Sequence, residues 1–189
     1  MSTLIDSYSE SNQSFFSTVG NNSNGFQSSY GQSFTGDGGT LEYISLYLRD
    51  WGSPTGTATV YVYAHSGTYG TSSIPTGEPL AVSDDFDASA VGSSFALHDF
   101  TFSGDNKIVL EDGVYYVFAM RFPADIGNNA ISMGVDNNSP AHSGNLSYEY
   151  NSGTLWGADG SRDVCFYVYG EVPVTPTVGT KYPLPAFKR

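Results

Sequence analysis

The most constraining feature of the sequence is an alternation of apolar and polar side chains that starts at Leu41. Ile44, Leu46 and Leu48 fall on one side of an extended chain, and tyrosine, serine and arginine occupy the positions between them. After a Gly- and Pro-containing turn at 52–56, residues 59–64 repeat the pattern with valines on one face and tyrosines on the other. This period of two is typical of half-buried strands, so we expect the two segments to form a β-hairpin.

Similar strand-like segments recur along the chain between Gly-, Pro- and Asp-rich turns, and no stretch of ten residues keeps a helical period. We predict a long loop at 66–79, and we predict further strands at 80–82, 95–102, 107–110, 114–121, 130–135, 146–150 and 164–169, with one more near 30–35. Only 14% of the residues are charged, which argues against helical bundles and coiled coils. The predicted fold is all-β, an antiparallel two-sheet sandwich of jelly-roll type with extended N- and C-terminal arms.

Composition divides the chain into three segments. Residues 1–30 are predicted to form an extended Ser/Asn-rich arm, 31–171 the β-sandwich, and 172–189 a Pro-rich extended tail. The two arms offer more extended chain than one small sandwich can cover, so we expect a homo-oligomer or an array in which the arms cross subunits.

The charge balance limits the choice of partners. The formal net charge is −12, and three of the seven basic residues (Lys181, Lys188 and Arg189) lie in the last nine positions. An acidic body repels phosphate backbones and anionic lipid, so neither nucleic acid nor a membrane is an expected partner. No secretory signal is evident after Met1, which predicts synthesis in a cytoplasm.

Motifs of the common enzyme mechanisms are missing from the sequence. It has no G-x-S-x-G elbow, P-loop, G-x-G-x-x-G or H-E-x-x-H segment, and His65, His98 and His142 are too scattered to suggest a metal site. The single cysteine, Cys165, lies in an apolar run and is expected to be a buried thiol. We therefore predict that the protein is not an enzyme and has no cofactor.

Two groups of residues are candidate ligand-binding sites. Exposed aromatic rings can stack on sugars, and the candidates are Trp51, Tyr61, Tyr63, Tyr69 and Trp156, although tyrosines on the second face of a strand more often cover a neighbouring sheet or subunit. Asp84, Asp85 and Asp87 supply three carboxylates in four residues, which suit Ca²⁺, but the spacing fits a solvated acidic loop better.

Several segments together resemble a family of β-sandwich domains found in phage virion proteins and bacterial surface proteins, the choice-of-anchor-like domains. The segments are Gly31–Thr35, Leu46–Leu48, Gly56–Tyr63, Pro75–Gly77, Gly113–Val117 and Asp163–Gly170. They are strand and turn residues, so the resemblance implies a jelly-roll-like sandwich and carries no catalytic positions. The chain differs from surface-anchored members because it shows no signal peptide or sorting segment.

From the resemblance and the arms we expect a structural protein of a phage-like virus particle, a capsid decoration or appendage domain assembled in the host cytoplasm. Its partners would be other virion subunits, docked through Tyr182, Leu184, Phe187, Lys188 and Arg189 of the tail. The alternative is an extracellular carbohydrate-binding module or adhesin that recognises a polysaccharide, with or without Ca²⁺. A glycoside hydrolase has the least support, because no local pattern marks a pair of opposed carboxylates.

Overall fold

The structure is a computed structural model that describes residues 1–21, 27–123, 129–150 and 155–172. Apart from three single-turn 3₁₀ helices, its regular elements are strands: β1 (Ser2–Tyr8), β2 (Phe15–Asn21), β3 (Gln27–Thr35), β4 (Thr40–Trp51), β5 (Thr57–Ser66), β6 (Ile74–Val82), β7 (Phe86–Asp87), β8 (Ala96–Thr101), β9 (Tyr115–Arg121), β10 (Ala130–Asp136), β11 (Leu146–Tyr150), β12 (Leu155–Asp159), β13 (Asp163–Val164) and β14 (Phe166–Glu171).

The strands form two antiparallel sheets. Sheet I is centred on the long strand β4. One edge of β4 pairs with β14 and then with β10, and its other edge pairs with β8. Strand β1 pairs with the far side of β14, and β2 pairs with the far side of β10. Sheet II has the order β12-β11-β3-β9-β5-β6. A short pairing of β2 with β3 joins the sheets at one corner. The all-β, two-sheet prediction is confirmed, and the jelly-roll connectivity stays a prediction.

The core lies between the two sheets and is built from the inward positions of the alternating strands. Ile44, Leu46 and Leu48 of β4 are fully buried, as the alternation predicts. Phe118 of β9 and Phe166 of β14 meet across the core with ring centroids 5.2 Å apart. Removing one phenylalanine side chain of this kind from water stabilises the fold by about 1.5–3 kcal/mol.

Three expectations about strand pairing are wrong. β4 and β5 do not form a hairpin, because the turn at 52–56 carries the chain from sheet I to sheet II. Both strands bury an apolar face in the common core instead of pairing side by side. The predicted loop at 66–79 ends early, since β6 begins at Ile74, and the predicted strand at 107–110 makes only an isolated bridge between Val109 and Thr40.

The N-terminal segment does not form the separate arm expected from composition, because its strands β1 and β2 belong to sheet I. β1 pairs with β14 and β2 with β10, and the expected boundary after residue 30 falls inside β3. Buried polar contacts also attach β1: the Tyr8 hydroxyl donates to Asp136 at 2.7 Å, and Asp6 accepts from the Thr35 amide at 2.8 Å. These contacts satisfy backbone and side-chain groups that a free arm would leave to solvent.

Candidate functional site

Sheet II curls strongly toward its outer face. The rings of Tyr63 on β5 and Trp156 on β12 have centroids 6.1 Å apart, although three strands separate β5 from β12 in the sheet. In a flat sheet, four strand spacings would separate them by about 19 Å. The two edge strands β6 and β12 also contact each other. The outer face is therefore the inside of a trough.

Glycines permit this curvature. A β-carbon on Gly31 of β3 would lie 1.8 Å from the Phe118 carbonyl oxygen of β9, and one on Gly144 would lie 2.1 Å from the Ser33 carbonyl oxygen. Both clashes are with backbone, which has no freedom to move aside. Small side chains such as Ala119, which is fully buried, line the bottom of the trough next to Gly31.

The deep part of the trough is closed by hydrogen bonds. The Asn145 side-chain amide donates to the Ser73 carbonyl at 3.2 Å and accepts from the Ser73 amide at 3.0 Å, and Ser147 donates to the same carbonyl at 2.7 Å. Ser33 accepts from the Asn145 amide at 2.8 Å. All four side chains are buried and partnered, so this part is a rigid support with no free polar group of theirs to bind a ligand.

The open end carries a cluster of four side chains that we call the rim cluster: Tyr61, Arg121, Glu149 and Trp156. The Arg121 guanidinium lies 5.0 Å from the centre of the Tyr61 ring, and its Nε lies 3.4 Å from Glu149 Oε2. Glu149 neighbours Trp156 in the β11–β12 register, and it also accepts a hydrogen bond from Ser29 at 2.5 Å.

Two polar atoms of the rim cluster have no hydrogen-bond partner in the described part of the chain. They are Glu149 Oε1 and Arg121 Nε, both inaccessible to water at the atom level, and the Glu149 side chain is 0% exposed. Burying a carboxylate without full hydrogen bonding is costly, so such a group is rare unless a ligand, a water or a small movement completes it. The rest of the Arg121 side chain is 28% exposed and gives access to the pair.

The arrangement suits a polyhydroxylated ligand. The Tyr61 and Trp156 rings, both partly exposed, offer apolar faces to C–H groups. The partly exposed Arg121 guanidinium can donate to hydroxyl groups of a ligand, and the buried Glu149 carboxylate holds it in place from behind. Tyr63 is 4% exposed and supports the cluster from below, and its burial raises the pKa of its hydroxyl, which therefore stays protonated.

Three of the five aromatic candidates converge here, and two do not. Trp51 lies on the outer face of sheet I, 6.0 Å from Phe16, while Tyr69 stacks on Tyr115 at 3.9 Å and lines a cavity of about 350 Å³. The sequence analysis missed Arg121 and Glu149. The alternation within β9 and β11 was the signal that could have found them, because it assigns both charges to the same outward face as Tyr61.

The cavity beside Tyr69 is lined by groups that already bind one another. His142 Nδ1 accepts from the Gly144 amide at 3.0 Å, which requires the tautomer whose Nε2–H donates to Asp6 Oδ1 at 3.1 Å. Asp163 accepts from Gln32 at 2.8 Å, and burial raises the pKa of its carboxyl. These contacts connect β1 to the 137–145 loop, which gives His142 a structural role.

The acidic candidates serve local turns. Asp87 accepts from the Ser89 amide at 3.0 Å and begins a short 3₁₀ helix, and Asp84 accepts from Ser103 at 2.6 Å, while Asp85 is exposed. Among the residues the structure describes, no three His, Cys, Asp or Glu side chains are grouped as metal ligands. The calcium hypothesis stays a prediction.

Cys165 is buried as expected, and burial raises the pKa of its thiol to about 12. No helix in the described ranges is long and apolar enough to cross a membrane. The tail residues Tyr182, Leu184, Phe187, Lys188 and Arg189 lie outside the described residues.

Comparison with protein-family models, with curated proteins and with solved structures finds no match for this chain. The resemblance to choice-of-anchor-like domains therefore stays a prediction.

Proposed function

We propose that the protein is a carbohydrate-recognition module that binds a polysaccharide at the rim cluster of sheet II. The observation that supports this best is the convergence of Tyr61, Tyr63 and Trp156, three of the residues predicted for sugar stacking, around the Arg121–Glu149 pair. Two strands on opposite sides of the trough supply the rings, and a rigid scaffold holds them, which limits the entropy lost on binding.

The charges favour a neutral glycan. Glu149 lies beside Arg121 and offsets its positive charge, and the whole chain carries a formal charge of −12. An acidic polysaccharide would be repelled over the Debye length of about 10 Å at 0.1 M salt. We expect neutral hexose chains to be retained and sulfated or uronic-acid chains to be excluded.

A glycan array probed with the purified full-length chain tests the proposal. Binding to neutral glycans should be lost in Trp156→Ala and Tyr61→Ala, because each change removes a stacking face. It should be weakened at least about tenfold in Glu149→Gln, because that change removes the charge that holds Arg121 in place. Trp51→Ala is the matched control, since it deletes the same type of side chain on the other sheet. Equal loss in the control, or no retention of any glycan by the parent chain, would refute the proposal.

The second candidate function is a surface subunit of a phage-like virus particle, and the two functions are compatible. The observation that favours it is the broad outer face of sheet I, where Trp51 is 49% and Leu97 43% exposed, which suits contact with other subunits. As a particle subunit the protein would be non-enzymatic and located on the virion. If the protein is secreted instead, its location would be outside the cell. We expect mass spectrometry to detect the chain in purified particles and to lose that signal when residues 172–189 are deleted. Normal incorporation of the truncated chain would contradict this second function.

A further inference from the structure

The outer face of sheet I carries two neighbouring groups of aromatic rings. Tyr43 stacks on Tyr169 at 4.6 Å, Tyr169 lies 6.3 Å from Tyr167, and Tyr47 stacks on Phe95 at 5.1 Å. We call the set Tyr43, Tyr47, Trp51, Phe95, Tyr167 and Tyr169 the aromatic row.

An arginine extends the row toward Trp51. The Arg49 guanidinium lies 5.0 Å from the centre of the Phe95 ring and 5.8 Å from that of Trp51, and its buried Nε has no hydrogen-bond partner among the described residues. No described strand of this chain covers the row, since the sheet's other face packs on the core. Sandwich domains of this size seldom leave such a surface without a partner.

The row is suited to a proline-rich segment. Rows of tyrosine and tryptophan bind polyproline II helices, because flat rings fill the spaces between prolines and the bound segment is already extended. Residues 173–189 of this chain contain Pro173, Pro176, Pro183 and Pro185 together with Tyr182, Leu184 and Phe187.

Length and charge agree with this occupant. Along β4, Tyr43 to Trp51 spans eight residue steps, or about 26 Å, and residues 181–189, also eight steps, would span about 25 Å as a polyproline II segment. Residues 173–189 contain three basic and no acidic residues, whereas all nineteen acidic residues precede them. Glu10, which accepts a hydrogen bond from Tyr167, and Asp99, which accepts one from Ser45, border the row and offer carboxylates to Lys188 and Arg189.

We propose that the aromatic row is the docking surface for the Pro-rich tail of a second copy of this chain. A second copy fits better than the same copy, because β14 ends at Glu171, level with Thr40 at the start of β4, and points out of the sheet at the end of the row. The residue before a proline avoids the helical region, so the Val172–Pro173 and Thr175–Pro176 steps in the sequence disfavour a helical turn back toward the row. The proposal does not depend on glycan binding.

A complementation experiment tests it in the full-length chain. The tail variant Tyr182→Ser/Leu184→Ser/Phe187→Ser changes only residues outside the described sandwich, and the face variant Tyr47→Ser/Tyr169→Ser removes two outward rings. Sedimentation at low salt should show self-association of the parent chain, weakened at least about tenfold in each variant. Mixing the two variants should restore a 1:1 dimer, because one supplies the face and the other the tail.

Controls separate the alternatives. Leu80→Ser, which changes an exposed apolar position on β6 of sheet II, should associate like the parent chain. The reversal Lys181→Glu/Lys188→Glu/Arg189→Glu should weaken association without touching the sandwich. A parent chain that stays monomeric, a tail variant that associates normally, or a mixture that fails to dimerise although circular dichroism shows both variants folded would overturn the proposal. A monomeric parent chain would point to docking within one copy, and a mixture that fails to dimerise would point to another face.

Discussion

Replacing Tyr8 with phenylalanine should destabilise the protein by attacking the attachment of β1. The Tyr8 hydroxyl donates to Asp136 Oδ2 at 2.7 Å and accepts from the Ala141 amide at 3.3 Å. Ser14, Asn138 and Ser139 all donate to the other oxygen of Asp136. The substitution therefore leaves Oδ2 without its hydrogen bond from the described chain, inside a side chain that is 4% exposed.

A hydrogen bond to a charged group contributes about 1.5–3 kcal/mol, and an unsatisfied buried acceptor places the loss in the upper half of that range. We expect a loss of about 2–3 kcal/mol, or a decrease in Tm of about 5–10 °C for a chain of this size. Urea unfolding followed by tryptophan fluorescence measures the free energy of unfolding. Tyr115→Phe is the control, because that ring stacks on Tyr69 and its side chain is 42% exposed.

The loss should depend on pH in a specific way. Burial and the hydrogen bond to Asp136 raise the pKa of Tyr8 to about 12, above the unfolded value of 10.0. The contribution of Tyr8 is thus fully present below pH 10 and disappears as the pH rises toward 12. Burial opposes the ionisation of Asp136, but four hydrogen bonds outweigh it and lower its pKa. The stabilisation that depends on the Asp136 charge is present above about pH 4. It disappears as the pH falls through the lowered pKa of Asp136 in the folded protein. A Tyr8→Phe variant within about 0.5 kcal/mol of the parent at pH 7 would refute this account.

Three further predictions concern a close backbone approach, a buried thiol and a half-buried histidine. Gly31→Ala should destabilise the fold by about 3 kcal/mol or more in urea unfolding, because its β-carbon meets the Phe118 carbonyl, whereas Gly92→Ala, which has open space, should change stability by less than about 1 kcal/mol. Cys165 should react with a thiol reagent only as fast as the protein unfolds, since burial raises its pKa to about 12; labelling at the rate of a free thiol would contradict this. Burial lowers the pKa of His98, so the unfolded chain binds a proton at this imidazole more readily than the folded chain does. The free energy of unfolding should therefore fall as the pH decreases below about 6.5. The His98→Gln variant should flatten that decline, and an unchanged slope would contradict the prediction.

The sequence predicts the central strands well because their inward side chains are apolar. β4 and β5 carry Ile44, Leu46, Val60 and Val62 at every second position, and these residues fill the core. β2 was missed because its apolar residues, Phe15, Phe16 and Val19, do not alternate with polar ones, and of these three only Val19 is buried. A strand of this kind pairs because a neighbouring edge is available, and the sequence does not encode that locally.

The pairing errors and the site have a common origin in three-dimensional arrangement. A five-residue turn such as 52–56 looks the same whether it closes a hairpin or connects two sheets. Tyr63 and Trp156 could be selected as residue types, but their approach depends on the curl that Gly31 allows. Arg121 and Glu149 meet across an intervening strand, β3, so no spacing in the sequence marks them as a pair.

The central claim, that the rim cluster binds carbohydrate, is tested most directly by the fluorescence of Trp156 itself. The chain has two tryptophans, so Trp51→Phe leaves Trp156 as the single indole reporter. Titrating this variant with a neutral oligosaccharide retained on the array should shift or quench its emission in a saturable way, and Glu149→Gln in the same background should weaken the apparent Kd at least about tenfold. Saturable binding by calorimetry with no change in Trp156 emission, and with the same affinity in the Glu149→Gln background, would show that sugar binds elsewhere and would contradict the account.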